Sequence, residues 1–382
     1  MVRPLRTPLC LSVAAVLLAA CSSSSASSGH GSSSHQTAQV ACAGSIGVMA
    51  PYGGSSQRDT VQMNWARVAL DQFNNDHGTS FTITPENVDF SETDAVASAQ
   101  RLAADPSVIG VVGPTTSVAV AAAAPVLDQA GLAYVSQSAT RTSLTDGSHP
   151  GFHRVVANDS VQGPTIAKFV SDHLKGKEVL VVGDPEAYSV GLTDSIKRQL
   201  HLDGVAVRSA TIGLEGADPA PAVSAMTPST DVVILALLQP TDATHAVDAI
   251  TADGYHPTFI GADSMFDLNT FNIPGAYVST FAPDLTALPG GAKLVTLYKS
   301  IFGDLAPLGG PSYVAMEVML TAALKSCHNG EARRKGTAKA IGDVKLDHTI
   351  LGTPVSFTKT GDLKDGTYSI YQIEGQGYSL VR

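Results

Sequence analysis

The feature that most constrains this chain is a regular alternation of short apolar runs with longer segments of helical periodicity. It begins with the run 45–50, which a loop joins to a helical pattern over about 59–75. It continues to residue 136 and restarts after Phe152 with a helical pattern over 160–174. Alternating β and α segments form parallel sheets covered by helices on both faces. The sequence therefore predicts an α/β fold with two such lobes.

The same pattern places the other elements. Further strands are predicted at 81–90, 108–113, 132–136, 178–183, 205–210, 231–237 and 258–262. Further helices are predicted at 93–105, 117–130, 190–203, 242–253, 290–302 and 311–327. The chain closes with strand-like PVSFT, a turn, and strand-like TYSIYQIE. The break near 150–154 has turn residues but no long linker, so short crossings should join the lobes.

The amino end has the zones of a secretion signal. A basic start and an apolar stretch over 8–18 lead to two small residues before Cys21. This stretch is too short for a stable membrane anchor, and we expect 1–20 to be a signal peptide. Residues 18–21 also resemble the bacterial lipobox, in which the cysteine is acylated and the chain is cut before it. We expect a lipidated Cys21; an ordinary signal cleaved nearby without lipid is the alternative.

Residues 21–41 should act as a flexible tether, because they are rich in serine and poor in groups that bury apolar area. His30 and His35 lie in it, and two histidines on a flexible chain make a poor metal site. Without the signal, 22 basic residues stand against 34 acidic ones, a formal charge of −12. Such acidity argues against nucleic acid as a partner.

Two cysteines, Cys42 and Cys327, remain once Cys10 leaves with the signal and Cys21 is lipidated. In an oxidising compartment one disulfide is the natural pairing, and two buried free thiols are the alternative.

Loops rich in Gly, Ser and Thr follow several predicted strands, where ligands bind in open parallel sheets. Each is weak by itself, since these residues also cap helices. The sequence contains no nucleophile elbow, P-loop, dinucleotide fingerprint, zinc-protease motif or C-x-x-C. This leaves no catalytic residue to assign, and we expect neither an enzyme nor a cofactor.

Four stretches resemble the solute-binding proteins of bacterial branched-chain amino acid ABC transporters, the type I periplasmic binding protein family. They are 96–145, 152–170, 184–200 and 352–373. The resemblance runs with gaps from about Ile46 to the end, and its ordered succession is more specific than any single stretch.

The resemblance implies two Rossmann-like lobes joined by a three-crossing hinge, with solute held between them. The first lobe would comprise 42–153 plus 284–349, and the second 154–283 plus 350–382. Cys42 and Cys327 would then share a lobe, which favours the disulfide. The implied partners are a small ligand and an ABC permease, and the chain should be a monomer.

The resemblance also implies ligand-binding residues. Ser117, Ser138 and Thr140 fall where the family grips an amino acid carboxylate. Tyr188 matches a cleft-facing tyrosine, and Asp263 falls where relatives place an acid for the substrate ammonium. Helix capping, core packing and a turn acid are the respective alternatives for Ser117, Tyr188 and Asp263.

Two departures bear on the ligand. Leu238 stands where amino acid binders often have an aromatic group. Arg58 lies in a first-lobe loop where others often have an aromatic or small residue. Arg58 would pair with a second ligand carboxylate or be a solvated rim residue, and both interpretations stay open.

The sequence thus predicts a lipid-anchored protein on the extracytoplasmic face of the cell membrane that delivers an amino acid or related carboxylate to an ABC importer. One alternative is a sensor lipoprotein of the same fold coupled to a signalling partner. Another is a secreted serine hydrolase, which would need a base near a loop hydroxyl.

Overall fold

The structure, a computed structural model, describes residues 41–52, 60–214, 216–288, 290–303 and 305–381. Two β-sheets with helices on both faces make up this part of the chain. Among the helices within these ranges, none combines the length and apolar character needed to cross a membrane.

The first sheet is entirely parallel and has the strand order β2-β1-β3-β4-β5. Its strands are β1 (Ala43–Ala50), β2 (Ser80–Asn87), β3 (Val108–Val112), β4 (Tyr134–Ser136) and β5 (Phe152–Arg154). Every residue of β3 and β4 is buried, as expected for strands covered on both faces.

The second sheet has the order β12-β11-β10-β9-β8-β6-β7. Its strands are β6 (Glu178–Gly183), β7 (Ala206–Thr211), β8 (Val232–Ala236), β9 (Thr258–Gly261), β10 (Tyr277–Thr280), β11 (Ser369–Glu374) and β12 (Gly377–Leu380). The strands β6 to β10 pair in parallel, whereas β11 pairs antiparallel with both β10 and β12. The prediction of parallel sheets is thus confirmed for β6 to β10, whereas the edge of this sheet is an antiparallel hairpin of β11 and β12.

The helices in chain order are α1 (Val61–His77), α2 (Glu92–Ala104), α3 (Ser117–Gln129), α4 (Asp159–Lys168), α5 (Ala187–Leu202), α6 (Ala220–Ser224), α7 (Pro240–Ala252), α8 (Gly291–Phe302), α9 (Gly310–Lys325) and α10 (Arg334–Ala340). A π-helical turn, Phe169–Leu174, extends α4. The predicted helix over 160–174 therefore changes its hydrogen-bond pattern midway.

Both sheets are sandwiched between two layers of helices. The helices α1 and α9 share one apolar cluster with β1, and α2 and α3 share another with β3 and β4. On the second sheet, α4 and α5 bury one face, and α6 and α7 the other. Trp65 of α1 stacks on Tyr298 of α8 with ring centroids 4.7 Å apart, which fixes α8 on the first of these layers.

The chain passes between the two sheets after β5, after β10 and before β11. Between the second and third passages, α8, α9 and α10 pack on the first-sheet side. The exact lobe boundaries stay a prediction. This arrangement brings the loops at the carboxyl ends of both sets of strands to one cleft.

Candidate functional site

A cavity of about 630 Å³ lies between the loops of the two sheets. Four of the predicted ligand residues line it: Ser117, Ser138, Tyr188 and Asp263. Its size falls within the range of small-molecule sites, and its place at the carboxyl ends of parallel strands is where such folds bind ligands.

Ser117 is the first residue of α3, and its buried hydroxyl points to the cavity wall. The preceding residue, Thr116, caps the helix, since its hydroxyl accepts a hydrogen bond from the Ala119 amide at 3.3 Å. The Ser117 hydroxyl instead accepts a bond from the Arg141 amide at 3.3 Å. The capping alternative for Ser117 is therefore wrong, and the start of α3 offers the cavity a helix amino end and a hydroxyl.

Tyr188 and Asp263 meet on the opposite side of the cavity. Tyr188 lies in the first turn of α5, and its hydroxyl donates to Asp263 Oδ1 at 2.7 Å. Asp263 begins a short 3-10 turn after β9 and is only 5 % exposed. Burial raises the pKa of the Asp263 carboxyl despite this hydrogen bond. A carboxylate in such a place favours a cationic partner.

Asp159, which the sequence analysis did not single out, is a second buried acid near Asp263. It is the first residue of α4 and is 1 % exposed, and neither carboxyl oxygen has a hydrogen-bond partner among the described residues. Burial and the charge of Asp263 raise the pKa of Asp159 to about 7, and the Thr140 hydroxyl, Arg154 and Arg141 oppose that rise. The group is therefore poised between its neutral and charged forms at neutral pH.

Thr140 does not line the cavity. It is buried behind the wall, and its hydroxyl lies beside the Asp159 carboxyl without the geometry of a normal hydrogen bond. Its carbonyl accepts a hydrogen bond from the Asp159 amide at 3.0 Å. The structure thus groups the predicted Thr140 with the two acids rather than with Ser117.

A polar cluster on the first-sheet side was also missed by sequence reasoning. Gln62 and Thr115 both line the cavity, and Gln62 Oε1 accepts hydrogen bonds from Thr115 Oγ1 at 2.6 Å and from Gln137 Nε2 at 2.9 Å. These bonds fix the Gln62 amide at the cavity surface. Lone glutamines and threonines carry no sequence signal that would have revealed it.

Apolar side chains occupy much of the remaining wall. They include Val61, Phe90, Leu238, Phe266, Pro307 and Leu308. Leu238 is held by its backbone amide, which donates to Asp184 Oδ2 at 2.7 Å. Arg58, the other residue thought to tune specificity, lies outside the described residues, as does Cys21.

Cys42 and Cys327 form a disulfide with an S–S distance of 2.04 Å, which confirms the predicted pairing over the free-thiol alternative. It joins the residue just before β1 to a position just after α9. No group of three or more His, Cys, Asp or Glu side chains suited to a metal ion occurs in the described part of the chain.

Comparison with known proteins gives one consistent result. The sequence profile of a family described as periplasmic binding protein matches residues 45–377. The Leu/Ile/Val-binding protein BraC3 of Rhizobium johnstonii is 29 % identical over 359 residues, covering 86 % of this chain and 91 % of that protein.

Two solved structures show the same fold. The leucine-binding protein LivK of Thermotoga maritima superposes with a TM-score of 0.79 at 20 % identity, covering 89 % of this chain and 98 % of that one. A fatty acid ABC transporter substrate-binding protein of Thermomonospora curvata superposes at 0.76 with 16 % identity, covering 89 % and 92 %. At these identities the likeness concerns the fold alone.

Proposed function

Since this chain belongs to the periplasmic binding protein family, we propose that it captures a small amino acid with an apolar side chain and presents it to an ABC importer. The protein binds solute and is not an enzyme, so no hydroxyl in the cavity needs a catalytic base. Closure of the two lobes on the ligand would form the state that the permease recognises.

The observation that carries the amino acid proposal is the pair of buried acids. Asp263 faces the cavity with only neutral side chains, Tyr188 and Gln162, beside its carboxyl, and Asp159 lies behind it with unpartnered oxygens. Buried carboxylates are stable only when they are paired or protonated. A ligand ammonium beside Asp263 would supply the missing positive charge to both.

The opposite wall suits the other end of such a ligand. The amino end of α3 carries partial positive charge, and Ser117 and Ser138 add hydroxyl donors. A carboxylate here and an ammonium at Asp263 would orient an α-amino acid across the cavity. Its side chain would then meet the apolar wall around Leu238 and Phe266.

The proposal is tested by removing one charged group of a ligand at a time. Thermal-shift measurements and calorimetry would compare L-leucine with 4-methylpentanoate, which lacks the amine, and with isoamylamine, which lacks the carboxylate. L-leucine at about a hundred times its dissociation constant should add about 2.7 kcal/mol of stability, and the two analogues far less at equal concentration. Equal binding of 4-methylpentanoate would exclude the ammonium role, and a response to long-chain fatty acids alone would favour a different ligand class.

For its location, we propose that the protein is held at the extracytoplasmic face of the membrane by a lipid on Cys21. The apolar stretch and the small residues before Cys21 support this proposal. A serine-rich tether would then separate the binding domain from the membrane surface.

A further inference from the structure

Arg154, the last residue of β5, is a fully buried arginine that does not reach the cavity. Its Nη1 donates to the carbonyl oxygens of Ala139 at 3.0 Å and of Arg141 at 2.9 Å. These two carbonyls flank Thr140 on either side. The guanidinium therefore fixes the backbone on both sides of Thr140.

The counter-ion of Arg154 comes from a distant part of the chain. Asp362 Oδ1 accepts from Arg154 Nε at 2.7 Å, and Thr145 contacts both partners through its hydroxyl. Asp362 Oδ1 also accepts from Asn158 Nδ2 at 3.1 Å. Asn158 is the amino-terminal cap of α4, because its Oδ1 accepts from the Ser160 amide at 2.9 Å. The same ion pair thus also holds the residue directly before Asp159.

We propose that Arg154 and Asp362 are positioning residues of the ligand site, which hold Thr140 and Asp159 in place beside Asp263 without touching the ligand. The pair ties the segment after β4 and the start of α4 to the segment that leads into β11. The expected effect on ligand affinity rests on the proposed function. The arrangement of Asp159 does not depend on it and can be tested in the unliganded protein.

Two features separate this pair from an ordinary structural ion pair. Its hydrogen bonds converge on the carbonyls of the two residues that flank Thr140 and on Asn158, the cap directly before Asp159. Its guanidinium also lowers the pKa of Asp159, as Arg141 does, whereas the charge of Asp263 raises it. The charge of Asp159 in turn raises the pKa of Tyr188 and of Tyr368. Disturbing the pair should therefore alter the titration of Asp159 as well as stability.

Arg334 provides a matched control. It donates through Nε to the Val108 carbonyl at 2.6 Å and through Nη1 to the Ala103 carbonyl at 2.9 Å, so it uses the same chemistry away from the cavity. Arg334→Lys should lower stability as Arg154→Lys does. It should leave the binding site unchanged.

The experiment follows the carboxyl titration of Asp159 by carbon-13 NMR in the unliganded protein, with Asp159→Asn to assign the signal. In Arg154→Lys a single ammonium cannot span both carbonyls and Asp362, so water should enter. In Asp362→Asn the guanidinium loses its counter-charge. Both changes favour the charged carboxylate, so each should lower the midpoint of the Asp159 titration by about half a pH unit or more. Arg334→Lys should leave that midpoint unchanged. If Arg154→Lys does not fold, the isosteric change at the partly exposed Asp362 decides alone.

Calorimetry with L-leucine then measures the consequence for binding. Arg154→Lys and Asp362→Asn should each weaken binding by about tenfold or more, and Arg334→Lys by less than about threefold. An unchanged Asp159 midpoint in both site variants overturns the inference, whatever the affinity. If wild type does not bind L-leucine but the midpoint shifts as expected, the proposed ligand is wrong and the positioning role stands.

Discussion

Replacing Asp263 by Asn separates the two roles that a buried acid can play. Asp263 is 5 % exposed and accepts a hydrogen bond from Tyr188 at 2.7 Å, so Asn keeps the shape and an acceptor while removing the charge. Removing one member of a buried ion pair costs about 3 to 5 kcal/mol, or about two to three and a half decades of affinity. We therefore expect L-leucine to bind at least about a hundredfold more weakly to Asp263→Asn.

The unliganded protein should respond in the opposite direction. Because burial raises the pKa of Asp263, its charged form opposes folding, and the neutral amide should leave the melting temperature unchanged or higher. Loss of affinity without loss of stability is the signature of a ligand-pairing acid. Calorimetry and thermal unfolding at neutral pH measure the two quantities on the same samples.

Asp128→Asn is the matched control, because Asp128 Oδ2 also accepts from a tyrosine hydroxyl, that of Tyr134 at 3.3 Å, and burial raises its pKa. Asp128 does not line the cavity, so its replacement should leave L-leucine affinity unchanged. The reasoning is refuted if Asp263→Asn binds L-leucine within about threefold of wild type.

Three further predictions follow from the other charged and sulfur groups. Because the pKa of Asp159 is raised to about 7, the stability that its neutral form contributes is complete below about pH 4 and is lost as the pH rises through about 7. Asp159→Asn should flatten the pH profile of unfolding over that window by up to about 4 kcal/mol, and an unaltered profile would contradict the assignment. The Cys42–Cys327 disulfide spans a sequence separation of 285, for which the chain-entropy model gives about 5 to 6 kcal/mol, so reduction should clearly lower the melting temperature; two alkylatable thiols in the unreduced native protein would exclude the bridge. Cys21→Ser should abolish incorporation of labelled palmitate, and continued labelling would show that the lipid is attached elsewhere or that the lipobox interpretation is wrong.

Much of the fold was predictable where burial leaves a continuous apolar run. The predicted strand 178–183 coincides with β6, because all but its first residue are buried between helix layers. Short strands were harder, since β5 at Phe152–Arg154 is a strand only by its pairing with β4, and its sequence was interpreted as a break. The strand-like PVSFT forms only isolated bridges, Leu346–Val355 and Phe357–Leu363, because no neighbouring strand continues the pairing.

Four residues that line the cavity were predicted from the sequence, but their arrangement was not. Tyr188 and Asp263 were both expected to face the ligand, yet their contact joins positions 75 residues apart and follows only from the packing of α5 against the end of β9. Asp159 was missed because the sequence Asn-Asp-Ser is typical of a helix start. Asn158 does cap α4, and only tertiary packing buries the acid that follows.

The disulfide at the entrance to β1 has a mechanical consequence. Cys42 directly precedes this strand, which lies inside its sheet between β2 and β3, and Ala43 is further fixed by backbone bonds with Gly330 and Ala332. Tension on the chain before Cys42 would therefore be shared, through the disulfide, with the end of α9 instead of falling on β1 alone. A domain held by its amino end would then spread a pull over two elements, which protects the strand that leads to Pro51 in the cavity wall.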